Sequence, residues 1–162
     1  MGLTIDDRGL PYLVHLSNVT MEIMVASKYT NNFDLELAIP IALLHDTIED
    51  TGTTYEEIKN IFGKQVADGV KALTKNDNEE KSVAMKHSLG EIKKLSQEVW
   101  AVKLADRITN LLLPPHDWDF DKRKSYLKEA EFILTQLKGG NEYLEKRLQS
   151  KIDNYYNYCI QN

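Results

Sequence analysis

The strongest constraint on the fold is a helical periodicity that runs along nearly the whole chain. Apolar residues recur at spacings of three and four, as in the series Leu37, Ile41 and Leu44. No segment alternates apolar and polar residues as a half-buried strand would. We therefore expect an all-α protein whose amphipathic helices bury their apolar stripes against one another in an orthogonal or irregular helical bundle.

Capping and helix-breaking residues divide this pattern into separate helices. Thr54 followed by Glu57 has the form of a capping box, and Gly63 is a typical C-terminal stop. Pro40 lies inside the second helix, where we expect it to cost a hydrogen bond or to mark a kink or boundary. The predicted helices cover approximately residues 12–28, 35–48, 54–62, 65–74, 83–95, 97–112, 121–137 and 141–158, and the polar run 75–81 is predicted to be a mobile loop.

Length, charge and cysteine content limit the class of protein. The 162 residues suffice for one domain with a continuous core. The net charge of −5 argues against a dedicated nucleic-acid binder, but not against a phosphorylated substrate, because a bound divalent metal can invert the local charge. No apolar run approaches the roughly 20 residues of a membrane span, and the N-terminus lacks a signal-peptide pattern. The single cysteine, Cys159, cannot form an internal disulfide. We expect a cytoplasmic protein that binds neither nucleic acid nor membranes.

Four functional side chains follow the apolar stretch of the second helix within six residues: His45, Asp46, Glu49 and Asp50. Burying such groups unpaired would be costly, so they need a metal ion, one another or water. On a continuous helix, His45 and Asp46 project about 100° apart and can hold one ion between them. Glu49 and Asp50 would then lie one turn further on, beside a metal-bound water or a substrate.

Two further residues are candidates to complete a metal site. His15 is the only histidine of the first helix, and Asp106 follows the largely apolar run 99–105. Two imidazoles and two carboxylates form a mixed nitrogen and oxygen set that suits Mn(II), with Fe(II) or Zn(II) possible. Taken singly, His15 could be an ordinary helix residue and Asp106 could pair with Arg107 on the surface. The pair of His45 and Asp46 is the hardest to explain otherwise, because it interrupts a buried pattern.

The order of these residues resembles that of the HD-domain phosphohydrolases, in which a histidine, a distant His-Asp pair and a distant aspartate bind the metal. Residues 11–15, 42–51 and 102–111 are similar to the motifs of the RelA/SpoT-type (p)ppGpp hydrolase domain, and residues 54–75 resemble its link between the second and third motifs. The similarity covers about residues 11–113. The C-terminal helices, about 121–160, resemble those of small stand-alone members, including metazoan ones. We therefore expect a single HD domain over residues 1–162.

The resemblance implies a role for each matching residue. The reaction would be attack of water on the 3′-pyrophosphate of ppGpp or pppGpp, giving GDP or GTP and pyrophosphate. Glu49 and Asp50 would activate or orient this water. Asn110 would contact the sugar or a phosphate, and Arg107 would support the site. The implied ligands of one Mn(II) ion are His15, His45, Asp46 and Asp106.

The chain departs from the family pattern on both sides of the first motif. Leu16 follows His15 where the family usually has proline, and only fourteen residues precede His15. Relatives usually carry a basic segment there, so Arg8 is the candidate that would replace it in contacting substrate, although an exposed loop arginine is an equal alternative. We expect this difference to affect substrate identity more than metal binding, and either a monomer or a homodimer remains open.

Other functions and other residue roles also fit the pattern. The chain could be an HD phosphohydrolase for another nucleotide, a degenerate HD protein that only binds nucleotide, or a metal-independent helical interaction protein. Trp118 is interpreted as an aromatic anchor for its loop rather than a stacking platform for a base. Lys103 is interpreted as a residue of the helix surface rather than a phosphate contact.

Overall fold

A computed structural model describes residues 11–75 and 78–160, and Arg8 lies outside these ranges. The described part of the chain forms nine α-helices and no strand element, which confirms the all-α prediction. Short 3₁₀ turns, Ser27–Tyr29 and Asn157–Cys159, follow the first and last helices. The helices are α1 (Tyr12–Ala26), α2 (Leu35–Leu44), α3 (Thr47–Asp50), α4 (Tyr55–Phe62), α5 (Lys64–Leu73), α6 (Lys81–Ile92), α7 (Gln97–Asn110), α8 (Phe120–Gln136) and α9 (Glu142–Tyr156).

The bundle is organised around α7. Eleven of its 14 residues are buried, because α1, α2, α5, α8 and α9 all pack against it. A helix enclosed on every side is expected to be apolar all round. The C-terminal half of α7 departs from this rule, since it buries Lys103, Asp106, Arg107 and Thr109 among apolar neighbours. Buried polar side chains need partners, so this half of α7 is where a functional site is expected.

Helix α1 presents one continuous face to α2 and α7. Val19, Ile23 and Ala26 are fully buried on that face, as their spacing predicts. His15 precedes Val19 by four residues, so it lies on the same face one turn earlier. The helical spacing therefore carries His15 into the interior, where it is 3% exposed.

The predicted continuous helix over residues 35–48 is wrong at one point. Helix α2 ends at Leu44 and α3 begins at Thr47, and Asp46 between them has φ −105° and ψ 0°. The Thr47 hydroxyl donates to the Leu44 carbonyl at 2.6 Å. A side chain, and not a backbone N–H of a continuing helix, therefore hydrogen-bonds to this carbonyl at the end of α2. The break lies at His45 and Asp46 and not at Pro40, which stays inside α2.

Helices α4 and α5 form a hairpin beside α2 and α3. The predicted capping box is confirmed, since Thr54 and Glu57 exchange both hydrogen bonds. Gly63 joins the two helices at φ 88°, a conformation that favours glycine. Gly69 lets α5 approach α2 closely, because a Cβ there would lie 2.7 Å from Cδ1 of Ile41. This close packing brings the C-terminal end of α5 next to α3.

The last two helices close the bundle. Asp119 caps α8 by accepting from the Lys122 backbone N–H at 2.7 Å, and Asn141 caps α9 by accepting from that of Leu144 at 3.0 Å. The Asn141 amide also donates to the Thr30 hydroxyl at 2.9 Å, which ties α9 to the segment after α1. In residues 11–75 and 78–160, no helix combines the length and the apolar character that crossing a membrane requires.

Candidate metal centre

His45 points one ring nitrogen into the centre of the site. It is 2% exposed, and its Nδ1–H donates to the Ala42 carbonyl at 2.8 Å. A carbonyl oxygen only accepts hydrogen bonds, so the proton of the neutral imidazole lies on Nδ1. The lone pair of Nε2 is therefore free to bind a cation.

His15 is held in the same way by a residue 94 positions away. The Thr109 hydroxyl donates to the Asp106 carbonyl at 2.9 Å, which leaves its oxygen to accept from the Nδ1–H of His15 at 3.3 Å. The Nε2 atoms of His15 and His45 then face each other at 3.3 Å. When both rings are neutral, these two nitrogens are unprotonated and cannot hydrogen-bond to each other, and a cation between them would satisfy both.

Two carboxylate oxygens complete the cluster. Asp46 Oδ2 lies 3.0 Å from Nε2 of His45 and 4.0 Å from Nε2 of His15. Asp106 Oδ1 lies 3.5 Å and 3.8 Å from Nε2 of His15 and His45. Ligands bound about 2.1 Å from one ion at right or tetrahedral angles lie about 3.0–3.5 Å apart. The structure thus brings the four predicted ligands together, and three of them, His15, His45 and Asp46, have donor atoms within 4.8 Å of one another.

The electrostatics of the cluster favour a bound cation. Burial alone would raise the pKa of Asp106, but the charges of Lys103 and Arg107 hold that pKa well below its usual range. Burial likewise raises the pKa of Asp46, but in the metal-free protein the hydrogen bond and charge of the protonated form of His45 outweigh this effect and lower the pKa. Both groups are carboxylates at neutral pH, so buried negative charge and free imidazole nitrogens fit a divalent metal.

Three supporting residues were missed or misjudged from the sequence. Lys103 is not on the helix surface as predicted; it is 4% exposed, and its Nζ lies 2.9 Å from Oδ2 of Asp106. Tyr12 donates its hydroxyl to Oδ2 of Asp46, and burial together with that carboxylate raises the pKa of Tyr12, so it remains a donor. Thr109 supports His15 as described above. Lys103 and Thr109 lie three residues before and three residues after Asp106. This helical spacing would have predicted that each of them contacts Asp106.

Glu49 and Asp50, the predicted water-activating pair, lie on α3 at the edge of the metal cluster. Glu49 accepts from the backbone N–H of Lys75 at 3.2 Å, and its other oxygen lies 3.4 Å from the Lys75 ammonium. Asp50 is exposed, and partial burial together with the charges of Asp46 and Glu49 raises its pKa. Both carboxyls line the same pocket as Asp46.

The pocket above the cluster has a volume of about 700 Å³. Asp46 and Asp106 line it together with lysines and aromatic residues, and further carboxylates come from Glu49, Asp50, Glu79 and Glu129. Trp118 packs edge-on against Tyr126 at 5.0 Å, as expected of an anchor, although its ring also lines the pocket beneath the Lys122 ammonium at 4.5 Å. A pocket that mixes carboxylates with lysines can take an anionic substrate when a metal ion bound by the carboxylates offsets their charge.

Two other residues singled out in the third motif line the same pocket. The Asn110 amide donates to Oδ1 of Asp106 at 2.6 Å, and Asn110 is exposed to the pocket. Arg107 is buried, pairs with Glu129 and lies 4.7 Å over the Tyr126 ring. Arg107 thus links α7 to α8 beneath the wall that carries Trp118.

Comparison with known proteins tests the resemblance predicted from the sequence. The sequence model of the HD domain matches residues 6–132. Guanosine-3′,5′-bis(diphosphate) 3′-pyrophosphohydrolase MESH1 of Danio rerio is 32% identical, with 89% of this chain and 80% of that protein covered. The Homo sapiens protein of the same name is 30% identical with the same coverage.

A much longer relative and a solved structure point the same way. The guanosine-3′,5′-bis(diphosphate) 3′-pyrophosphohydrolase of Aquifex aeolicus is 36% identical over 80% of this chain but only 18% of its own length. The solved structure of a metazoan SpoT orthologue, described as hydrolysing ppGpp, has a TM-score of 0.78 at 29% identity and covers 92% of this chain and 84% of its own. The predicted resemblance is confirmed.

Proposed function

Since this chain belongs to the HD domain family, we propose that it is a metal-dependent phosphohydrolase that removes the 3′-pyrophosphate of ppGpp and pppGpp. The observation that carries the proposal is that the Nε2 atoms of His15 and His45 lie 3.3 Å apart, beside the carboxylates of Asp46 and Asp106 in a pocket that lysines also line. The relatives named for this activity support the choice of substrate.

The four clustered residues would hold one divalent ion. We propose Mn(II), since two imidazoles and two carboxylates with open positions suit it, and Fe(II) or Zn(II) are the alternatives. When bound, the ion supplies a water of lowered pKa and offsets the charge of the phosphates. The ligands are His15, His45, Asp46 and Asp106.

The remaining steps belong to the side chains around the pocket. The oxygen of the attacking water bonds to the phosphorus next to the ribose 3′ oxygen, and the bond from that phosphorus to the 3′ oxygen breaks. Glu49 takes the proton of the water. Asp50, whose pKa is raised by burial and by neighbouring carboxylates, is suited to return a proton to the leaving 3′ oxygen. The products are GDP or GTP and pyrophosphate.

Substrate contacts come from the walls of the same pocket. Lys81 and Lys122 line it, and their charges would offset the phosphates that do not reach the metal, which lets an acidic protein accept so anionic a ligand. Asn110 is placed to contact the sugar or a phosphate. Arg8, outside the described residues, remains a candidate contact. We propose that residues 1–162 form one HD domain. The protein would act in the cytoplasm, as a monomer or a homodimer, and its substrate would be a small nucleotide and not a nucleic acid.

The test is to incubate metal-stripped protein with ppGpp, with and without Mn(II), and to follow the release of GDP and pyrophosphate. We expect release only with metal, and none from Asp46→Ala or Asp106→Ala. A parallel panel of nucleoside mono- and triphosphates covers the alternative substrates. Turnover of another nucleotide with ppGpp untouched would replace the substrate, and absence of both metal binding and hydrolysis would overturn the proposal.

A further inference from the structure

The position of Glu49 is set by a residue on a different helix. Lys75, which follows the C-terminal end of α5, contacts both oxygens of the Glu49 carboxylate. Its backbone N–H donates to Oε2 at 3.2 Å, and its ammonium lies 3.4 Å from Oε1. The first contact depends only on the main chain, whereas the second is formed by a side chain that can move.

The Lys75 ammonium also faces the substrate pocket. The side chain is 35% exposed and lines the pocket together with Glu49. Burial lowers the pKa of Lys75, but the charges of Glu49, Asp106 and Glu129 outweigh this and raise it, so the group stays protonated at neutral pH. One cation is therefore shared between the water-activating carboxylate and the space where phosphates would enter.

The two contacts differ in strength. An ion pair at 3.4 Å between partly exposed groups is weak, and a phosphate group carries more charge than a carboxylate and accepts strong charge-assisted hydrogen bonds. An incoming phosphate would therefore displace the Glu49 carboxylate as the partner of the Lys75 ammonium. The backbone N–H of Lys75 is positioned by the main chain and donates to Oε2 of Glu49 at 3.2 Å, so this contact would hold Oε2 in place.

We propose that Lys75 is a positioning residue whose ammonium group leaves Glu49 and binds a phosphate of the substrate when the substrate enters. In the free protein the Lys75 ammonium contacts Oε1 of Glu49. In the complex it binds phosphate, while the main chain holds Oε2 and leaves Oε1 open to accept the proton of the attacking water. This inference rests on the proposed function for the identity of the substrate, but the competition for one cation is a property of Lys75 and Glu49 themselves.

Competition for a shared cation has a measurable consequence. Glu49→Gln removes the charge that holds the ammonium, so it should tighten binding of a phosphate ligand more when Lys75 is present than when it is absent. The probe is inorganic pyrophosphate, titrated calorimetrically into the Mn(II)-loaded full-length chain. The four proteins are the parent, Glu49→Gln, Lys75→Gln and the double variant.

We expect Glu49→Gln to bind pyrophosphate about two- to five-fold more tightly than the parent, the range that a weak ion pair supports. In the Lys75→Gln background the same change should have a clearly smaller effect. Lys75→Gln keeps the backbone N–H, and Lys75→Arg, which keeps the charge, should restore the coupling. Equal tightening in both backgrounds would overturn the proposal, because it would mean only a general reduction of negative charge.

Lys81→Gln is the matched control. Lys81 is a second lysine of the same pocket, so its loss can weaken pyrophosphate binding, but the effect of Glu49→Gln should persist at full size in that background. If the effect disappears there as well, the coupling is not specific to Lys75. Coupled pyrophosphate binding without any hydrolysis of ppGpp would contradict the proposed function and leave this inference standing.

Discussion

Lys103 lies 2.9 Å from Oδ2 of Asp106 inside α7, one helical turn away, and both residues are buried. The other oxygen of Asp106 faces the two imidazoles. The two oxygens of one carboxylate thus serve different partners. Because an ammonium is rarely buried without a paired charge, Lys103 and Asp106 depend on each other for their place in the core.

Removing this ammonium should damage both stability and metal binding. Lys103→Met leaves the buried Asp106 carboxylate without its partner, and breaking a buried pair costs about 3–5 kcal/mol. We expect a lower free energy of unfolding of the metal-stripped protein in urea and weaker binding of Mn(II). The control is Lys64→Met, since Lys64 pairs with Asp68 on the surface at 2.5 Å. Similar losses of stability in both variants would contradict the assigned role.

The hydroxyl of Tyr12 should contribute to metal affinity. Tyr12→Phe removes the donor to Oδ2 of Asp46, and loss of a partner that orients a ligand typically lowers metal affinity about 10- to 100-fold. Isothermal titration with Mn(II) measures the change. Tyr55→Phe removes a comparable hydrogen bond, to Asp68 at 2.8 Å, away from the metal cluster. Its affinity should equal that of the parent, and an equal loss in both variants would refute the prediction.

Glu49 should matter for turnover and not for holding the metal. It lies outside the ligand cluster and is held by Lys75, so Glu49→Gln should leave Mn(II) affinity close to that of the parent. We expect kcat for ppGpp to fall by about 10²- to 10⁴-fold, the usual contribution of a general base. Steady-state kinetics and metal titration on one preparation test both parts, and loss of the metal would make Glu49 a ligand instead.

Metal binding should depend on pH through His45. Burial lowers the pKa of His45, but the hydrogen bond to Asp46 and the charge of Asp106 outweigh it and raise the pKa above the ordinary value of 6.5. Without metal, the resulting stability is complete below pH 6.5 and is lost as the pH rises through the raised pKa.

A metal ligand must be the neutral imidazole, so Mn(II) affinity should rise over the same pH interval while the stability of the metal-free protein falls. Urea unfolding of stripped protein and Mn(II) titration at about pH 6 and about pH 8 measure the two opposite trends. Metal affinity that does not change with pH would show that His45 does not titrate there.

Much of the fold and of the ligand set could be predicted from local sequence. The spacing of Val19, Ile23 and Ala26 predicts the buried face of α1, and Thr54 with Glu57 predicts the start of α4. These features depend on residues three and four positions apart, whose relation a helix determines by itself. The four proposed ligands could be predicted because the pair at 45–46 interrupts an apolar pattern, Asp106 ends one, and His15 is the only histidine of its helix.

Other features depend on contacts between helices that are distant in sequence. Thr109 supports His15 across 94 positions, and Lys75 holds Glu49 across 26. No periodicity within one helix encodes such pairs, because they arise from the way α1 packs on α7 and α5 packs on α3. The break between α2 and α3 was not predicted, although the bond from the Thr47 hydroxyl to the Leu44 carbonyl that accompanies it is local.

The sequence by itself determined the helical class, most of the helix ends and the family, and it predicted the ligand residues, because local spacing and short motifs carry that information. Only the tertiary structure decided that Lys103 is buried, since five helices enclose α7. It also decided which atoms face the metal: the partners of each Nδ1 leave both Nε2 lone pairs directed at one point. The positions of these partners follow from packing, which no single segment specifies.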